Sequence, residues 1–430
     1  MPQPALRRLL TVVATVAVAA VAFYLLFRWQ RFFDLRIYIS AEKWWLSGGE
    51  LYDFAQPDAL QGKLYFTYPP FAALLMTPLG LLPLGASFAL LTAGTLAAVA
   101  VTTWWVTGGL ARLTDSPRWY AFGLALPLIL LIEPIRTTLS FGQINMYLVA
   151  LILLDLLVLL PRNSRFTGVG IGLAAAIKLT PALFIVYLLL CRRTRATVTA
   201  AGTAIGATLL AALIAPTATR EFWFASLWDT TRVGRTDYTA NQSLNGLLSR
   251  LSAPEPPDTA LWLGLAVGVA VVGLWRATLA ARGGDELTGL ALTGLTAGLI
   301  SPITWVHHMY WFVPAIIALV CAGIAAREGR RWWLWVSAAA AYLVCVIGVD
   351  TVVDWGVAQR PTPGVREFLL RNAFVLLSLA LVLLLPVPRT QNRRVPADGA
   401  DSGETFIVVS APDRDDQPKN GPIVRSVAES

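Results

Sequence analysis

FFDLRIYISAEKWWLSGGELYDFAQPDALQGKLYFTYPP, residues 32–70, is the stretch around which the chain is organised. It comes shortly after an apolar, charge-free run from Leu9 to Phe27. A helix of that length just spans a bilayer core. Asp34 is therefore expected within two turns of the membrane exit, on the far side. A carboxylate there is costly unless it meets water, a partner or a substrate. Trp44, Trp45, Tyr52, Tyr65 and Tyr68 follow, with Gly48-Gly49 and Pro69-Pro70 as breaks. Aromatic side chains of this kind favour the interface, where an apolar ring and a polar edge are both satisfied. Ala41 to Leu46 reads as a short interfacial helix. The plainer alternative is an aromatic belt with one solvated Asp.

Working outward, the 430 residues are 56% hydrophobic and 14% charged, against about a quarter charged in globular proteins. Repeated apolar runs of membrane length make this an all-α polytopic membrane protein. The net charge of +8 is not a nucleic-acid signal, because the basic residues cluster in short loops, where they set orientation, and in the tail. Cys191, Cys321 and Cys345 have neither disulfide nor metal spacing. The first run is too long for the core of a signal peptide, so it is expected as an uncleaved helix with a cytoplasmic N-terminus.

Phe71 to Val106, broken at Pro83, is too long for one straight span. Ala121 to Ile132 is apolar and ends in the polar loop EPIRTTLSFGQIN. Met146 to Leu160 reads as an apolar run, and Phe166 to Leu190 is interrupted at Lys178-Leu179-Thr180-Pro181. Basic residues flank both ends of that interrupted run, so it reads as two half-length helices meeting at a break. Such irregular backbone is tolerated only where it lines a cavity or is buried in protein. Further runs are Thr197–Ala215, Thr259–Trp275, Leu287–Ile300, Phe312–Ala325, Trp332–Val349 and Phe368–Leu385, for about 12 membrane helices in all. Residues 1–390 form the membrane domain. Residues 391–430 are too polar to bury a core and are expected as a disordered cytoplasmic tail. This count gathers Asp34, the EPIR–FGQIN loop, the KLTP break, the loop holding Asn241 and Gln242, and the His307-His308 pair on one face.

Asp34 is the sharpest candidate for chemistry, as an ionisable residue beside the membrane. Lys178 is nearly alone in its run, either a snorkelling lysine or a ligand for phosphate. His307 and His308 leave a helix in different directions, which disfavours a two-ligand metal site; one contacts substrate while the other packs. Asp350 and Asp354 are either a helically spaced pair or a solvated loop. Gln143 and Asn145 offer amide donors to sugar hydroxyls, although Asn145 would equally cap a helix. No nucleotide-binding motif, repeat or large soluble domain is present.

The ordered motifs resemble a known family. They are Phe33-Asp34-Leu35-Arg36-Ile37-Tyr38, Phe66-Thr67-Tyr68-Pro69-Pro70, Phe141-Gly142-Gln143-Ile144-Asn145, Lys178-Leu179-Thr180-Pro181, Asn241-Gln242-Ser243-Leu244-Asn245-Gly246, and Ser301-Pro302 with Trp305-Val306-His307-His308. Over residues 5–388 the chain resembles the polyprenyl-phosphate-mannose-dependent α-1,2-mannosyltransferases of actinobacteria, glycosyltransferase family eighty-seven, with the GT-C membrane fold. Members acting on phosphatidylinositol mannosides and members branching lipomannan share most of these motifs. The resemblance implies a polyprenyl-phosphate mannose donor, a glycolipid acceptor, and a site at the periplasmic face of the cell membrane. It also implies no metal or other cofactor and no nucleic-acid partner. Inverting transfer needs a single carboxylate base, for which Asp34 is placed. Lys178, Arg136, Arg232, Arg235, His307 and His308 are expected around the donor phosphate, and Gln143, Asn145, Asn241, Gln242 and Tyr68 around the acceptor and sugars. The alternatives are a lipid-linked arabinofuranosyltransferase of related fold and, in another class, a secondary transporter.

Overall fold

The computed structural model describes residues 3–58, 62–326, 328–349, 362 and 364–387. Within these the chain is nearly all helix. In order it forms α1 (Gln3–Leu26), α2 (Phe33–Leu46), a two-stranded hairpin of β1 (Ala55–Asp58) and β2 (Gly62–Tyr65), α3 (Pro70–Leu81), α4 (Leu84–Val106) and α5 (Gly108–Leu113). Next come α6 (Arg118–Leu131), α7 (Glu133–Phe141), α8 (Asn145–Leu153), α9 (Val169–Ile177), α10 (Leu183–Leu190), α11 (Thr194–Ile214), α12 (Pro216–Glu221) and α13 (Leu244–Ser252). The described part ends with α14 (Thr259–Arg282), α15 (Glu286–Ile300), α16 (Phe312–Ala325), α17 (Glu328–Ile347), α18 (Gly364–Arg371) and α19 (Ala373–Leu384). Asp350, Asp354 and the tail lie outside the described residues.

Among the described residues five helices are long and apolar enough to cross a membrane: Gln3–Leu26, Leu84–Leu113, Asn145–Arg162, Thr194–Ile214 and Thr259–Arg282. They become seven if each of two bent pairs is one span. Val18, Val21 and Leu25 of α1 point outward and are well exposed. In water that would be an aggregation surface, but in a bilayer it is the lipid face. The protein is a membrane protein. Its main core runs through α4, α8, α9, α10, α15, α16 and α19, with Ile171, Tyr187, Leu292, Phe312 and Phe374 fully buried.

Several segments depart from the sequence reading. The interfacial helix begins at Phe33 rather than Ala41, so Asp34 sits in its first turn. The expected EPIR loop is the helix α7, bent 66° from α6. Ile132 is extended at ψ 141°, and Pro134 then starts a new helix in its first turn, where a missing N–H costs nothing. The final apolar run is also bent, by 71°, between α18 and α19. The run from Met146 to Leu160 holds a buried Asp155, whose Oδ2 accepts from Ile171 N at 2.7 Å and so caps the first turn of α9. Part of the polar segment after Pro216 is helical, in α12 and α13.

The KLTP break is seen where the sequence places it. Lys178 is extended (φ −150°, ψ 132°), and Pro181 then opens a short 3-10 turn before α10. A second break follows α15, where Ser301 is extended ahead of Pro302, as the residue before a proline prefers. These two breaks bring irregular backbone to one place, beside the start of α2.

Candidate active site

The start of α2 is fixed by α7. Arg31 and Phe32 both take left-handed backbone, φ 53° and 56°. That conformation costs roughly 1–2 kcal/mol for each non-glycine residue, and the surroundings hold it. Phe32 N donates to Ser140 O at 2.9 Å, and Gln30 N donates to Ser140 Oγ at 2.6 Å. Gly142 ends α7 at φ 70°. A Cβ there would stand 2.7 Å from Leu35 Cβ, so only glycine lets the two segments approach so closely. The residue that follows this turn is Gln143, and it lands against Asp34.

Gln143 Nε2 donates to Asp34 Oδ2 at 2.5 Å and to Tyr38 Oη at 3.0 Å. Tyr68 donates to Gln143 Oε1 at 3.0 Å, and Tyr38 donates to Tyr68 at 3.1 Å. Burial pushes the Asp34 carboxyl up to about 6, while the Gln143 hydrogen bond and the Lys178 charge pull it down. At neutral pH it is an ionised carboxylate of raised basicity.

Lys178 reaches in from the α9–α10 break. Its Nζ is 3.1 Å from Asn145 Oδ1, 2.7 Å from His308 Nε2, and 5.3 Å from the centre of the Tyr68 ring. Trp305 N donates to His308 Nδ1 at 3.2 Å. His307 differs from its neighbour: its ring is buried, yet among the described residues neither ring nitrogen has a hydrogen-bond partner. Burial holds both imidazoles well below their ordinary range, and the Lys178 charge adds to this. Both rings are neutral at pH 7.

All of these groups except Asn145 line one cavity of about 280 Å³, walled further by Tyr52, Tyr65 and Phe222. Of the residues singled out from sequence, Asp34, Tyr68, Gln143, Lys178, Arg232, His307 and His308 are on its lining. Arg232 donates to Tyr52 O at 2.5 Å and stacks 4.4 Å from the centre of the Tyr65 ring. Among the described residues no cluster of His, Cys, Asp and Glu is shaped to hold a metal ion.

The other five do not line it. Arg136 is buried and donates to Leu131 O and to Val346 O, joining α6 to α17. Arg235 is bound to Asp237 through Nε–Oδ1 at 2.9 Å and Nη2–Oδ2 at 2.6 Å. Asn241 accepts from Thr304 N at 2.9 Å and donates to Thr236 O at 2.9 Å, tying the loop before α13 to the link after α15. Gln242 accepts from Phe374 N and Val375 N, both at 3.1 Å, and so caps α19. Asn145 stands behind Lys178 and donates to His307 O at 3.0 Å. It is the first residue of α8 rather than its cap, since Ile144 occupies that position.

Sequence reasoning missed Tyr38 and Trp305. Tyr38 is one helical turn beyond Asp34, so the i, i+4 spacing was the available signal. Glu42, further along α2, is sealed against Thr77 at 3.3 Å and does not line the cavity; burial raises it to about 8.

Comparison with known proteins adds a family. The model described as "Glycosyltransferase family 87" matches residues 66–302. That range takes in Tyr68, Gln143, Lys178 and Arg232 and stops short of Asp34 and the histidines. The chain is 33% identical over 335 residues to the "Polyprenol-phosphate-mannose-dependent alpha-(1-2)-phosphatidylinositol mannoside mannosyltransferase" of Mycobacterium tuberculosis, covering 74% of this chain and 77% of the relative. The protein of the same name from Mycolicibacterium smegmatis is 33% identical over 326 residues, covering 71% and 73%. A "Polyprenol-phosphate-mannose-dependent alpha-(1-2)-phosphatidylinositol pentamannoside mannosyltransferase" of Mycolicibacterium smegmatis is 31% identical over 323 residues, covering 73% and 76%. No solved structure matches.

Proposed function

The chain belongs to glycosyltransferase family 87, and from that premise we propose that it moves mannose from polyprenyl-phosphate mannose to a phosphatidylinositol mannoside in α-1,2 linkage. The relatives' names supply the donor and acceptor classes. The observation that carries the reading for this chain is the cavity in which Asp34, held by Gln143, faces the same space as Lys178 and His307, whose ring nitrogens make no hydrogen bond among the described residues.

The proposed chemistry follows from those groups. The donor sugar is β-linked and the product α, so one displacement inverts the anomeric carbon. The acceptor hydroxyl attacks C1 as Asp34 takes its proton, and the C1–O bond to phosphate breaks. The leaving group is a lipid phosphate monoester, whose developing charge needs a cation or donors. Lys178 supplies these, with His308 and Asn145 fixing its ammonium and His307 offering a ring nitrogen. Arg232, at the hairpin side of the same cavity, provides a further cation.

The finer architecture belongs to this reading: a GT-C fold of about 12 membrane helices in residues 1–390, a cytoplasmic tail in 391–430, and a cavity open to the periplasm of the cell membrane. Cysteine labelling of intact cells at residue 226 but not at residue 402 is expected; labelling of 402 from outside overturns this orientation. For the reaction itself, membranes expressing the protein are given labelled polyprenyl-phosphate mannose and phosphatidylinositol mannosides. A lipid product one mannose larger is expected, and no product above control membranes refutes the assignment.

A further inference from the structure

We infer that Gln143, held in place by hydrogen bonds with Tyr38 and Tyr68, is the positioning residue for Asp34, and not a sugar-binding amide. This rests on the reading of Asp34 as the base. A free glutamine side chain can present either its oxygen or its nitrogen to a neighbour. Here the Asp34 carboxylate, which can only accept, takes Nε2, and Oε1 is left to accept from Tyr68. Nε2 spends both N–H groups, one on Asp34 Oδ2 and one on Tyr38 Oη. Tyr38 in turn donates to Tyr68, which closes the ring of bonds. With both N–H groups used, the amide has no donor left for a sugar hydroxyl.

The consequence for Asp34 is geometric. Oδ2 is occupied, and no hydrogen bond is made to Oδ1 among the described residues, although Asp34 lines the cavity. Oδ1 is then the oxygen presented to an acceptor hydroxyl. Restraining the carboxylate at its back matters because a base must meet its proton within hydrogen-bond reach.

The choice of an amide has its own logic. An Arg or Lys hydrogen-bonded at this distance would stabilise the carboxylate strongly and weaken it as a base. A neutral N–H holds the group at less cost in basicity. The charged and titratable groups that share the cavity with Asp34 are Lys178 from the α9–α10 break, Tyr68 from the segment before α3, His307 and His308 from the link after α15, Tyr38 on its own helix, Tyr52 and Tyr65 about the hairpin, and Asp229 and Arg232 from the segment between α12 and α13. Arg36 on α2 is turned away, with its guanidinium over Phe88.

The test is the pH dependence of mannosyl transfer by Gln143→Leu, Tyr68→Phe and Tyr38→Phe, beside Tyr147→Phe. Tyr147 donates to Leu91 O outside this network, so its variant should behave as the parent. The base works ionised, so the rate falls as pH drops through its pKa. Losing the Gln143 N–H raises that pKa, and the acidic limb should move up by about one pH unit in Gln143→Leu. Tyr68→Phe should move the limb in the same direction by less, because the amide then keeps its bond to Asp34 but loses one of its restraints. A dead Asp34→Asn with an unmoved limb in Gln143→Leu overturns the positioning role alone. So does Gln143→Leu that raises KM for either substrate at an unchanged pH profile, since that is the signature of a sugar contact. Full activity in Asp34→Asn overturns the reading of the base beneath it.

Discussion

Replacing Gly142 by alanine should disconnect the two halves of the site. Gly142 sits at φ 70°, a region that costs an alanine roughly 1–2 kcal/mol. Its new Cβ would lie 2.7 Å from Leu35 Cβ and 3.1 Å from Phe32 Cδ1, and ordinary contact begins near 3.4 Å. The end of α7 and the start of α2 must therefore part by about 0.7 Å, a strain typical of overpacking at about 1–3 kcal/mol. The Gln143–Asp34 bond, now 2.5 Å, would open to about 3.2 Å, the outer edge of a good hydrogen bond. A hydrogen bond to a charged group is worth about 1.5–3 kcal/mol, and about 1.4 kcal/mol corresponds to tenfold in rate. With the bond stretched rather than lost, Gly142→Ala should lose up to about tenfold in kcat/KM and also unfold at lower temperature in detergent. The assay is labelled mannosyl transfer with a thermal melt on the same preparation. Parent-like activity together with a parent-like melt would refute the idea that this close approach sets the Asp34 geometry.

Two further outcomes follow from the same site. Lys178→Ala should raise KM for the donor more than for the acceptor, and Lys178→Arg should not restore it, since a planar fork cannot replace a compact ammonium between Asn145 and His308; unchanged donor kinetics in Lys178→Ala excludes the role. His308→Ala should mimic Lys178→Ala by releasing that ammonium, whereas His307→Ala, which removes ring nitrogens that make no hydrogen bond among the described residues, should lower kcat; full activity in both variants would make the pair structural.

The parts of this molecule that sequence reveals are those set by local chemistry. A charge-free run ending near Asp34, a proline-broken run holding Lys178, and a His pair beside Ser301-Pro302 all announce themselves by cost: each is an expensive residue in an apolar place. The structure brings these three together in one cavity. The amides and guanidinium groups are harder to read, because they serve equally well as ligands or as scaffold. Arg136, Asn241 and Gln242 occupy motifs that look functional, yet each is consumed by backbone groups far away in sequence, which no local pattern encodes. The same blindness hid Tyr38 and the cap that Asp155 gives to α9. Helix α7 was missed for another reason: its Pro and Thr residues suggest a loop, but the proline is in the first turn and the threonines bond back to Glu133 O and Pro134 O.

The central claim is that Asp34 is the base, and Asp34→Asn tests it most directly. The amide keeps the size and most of the hydrogen bonding of the carboxylate but cannot take a proton. Purified protein at matched amounts should insert and bind lipid normally and transfer mannose more slowly by about 10² or more, within the range for loss of a general base. Asp34→Glu should recover little, since one added methylene displaces the carboxylate from its Gln143 partner. Transfer by Asp34→Asn within a few-fold of the parent would contradict the account and place the base on another residue.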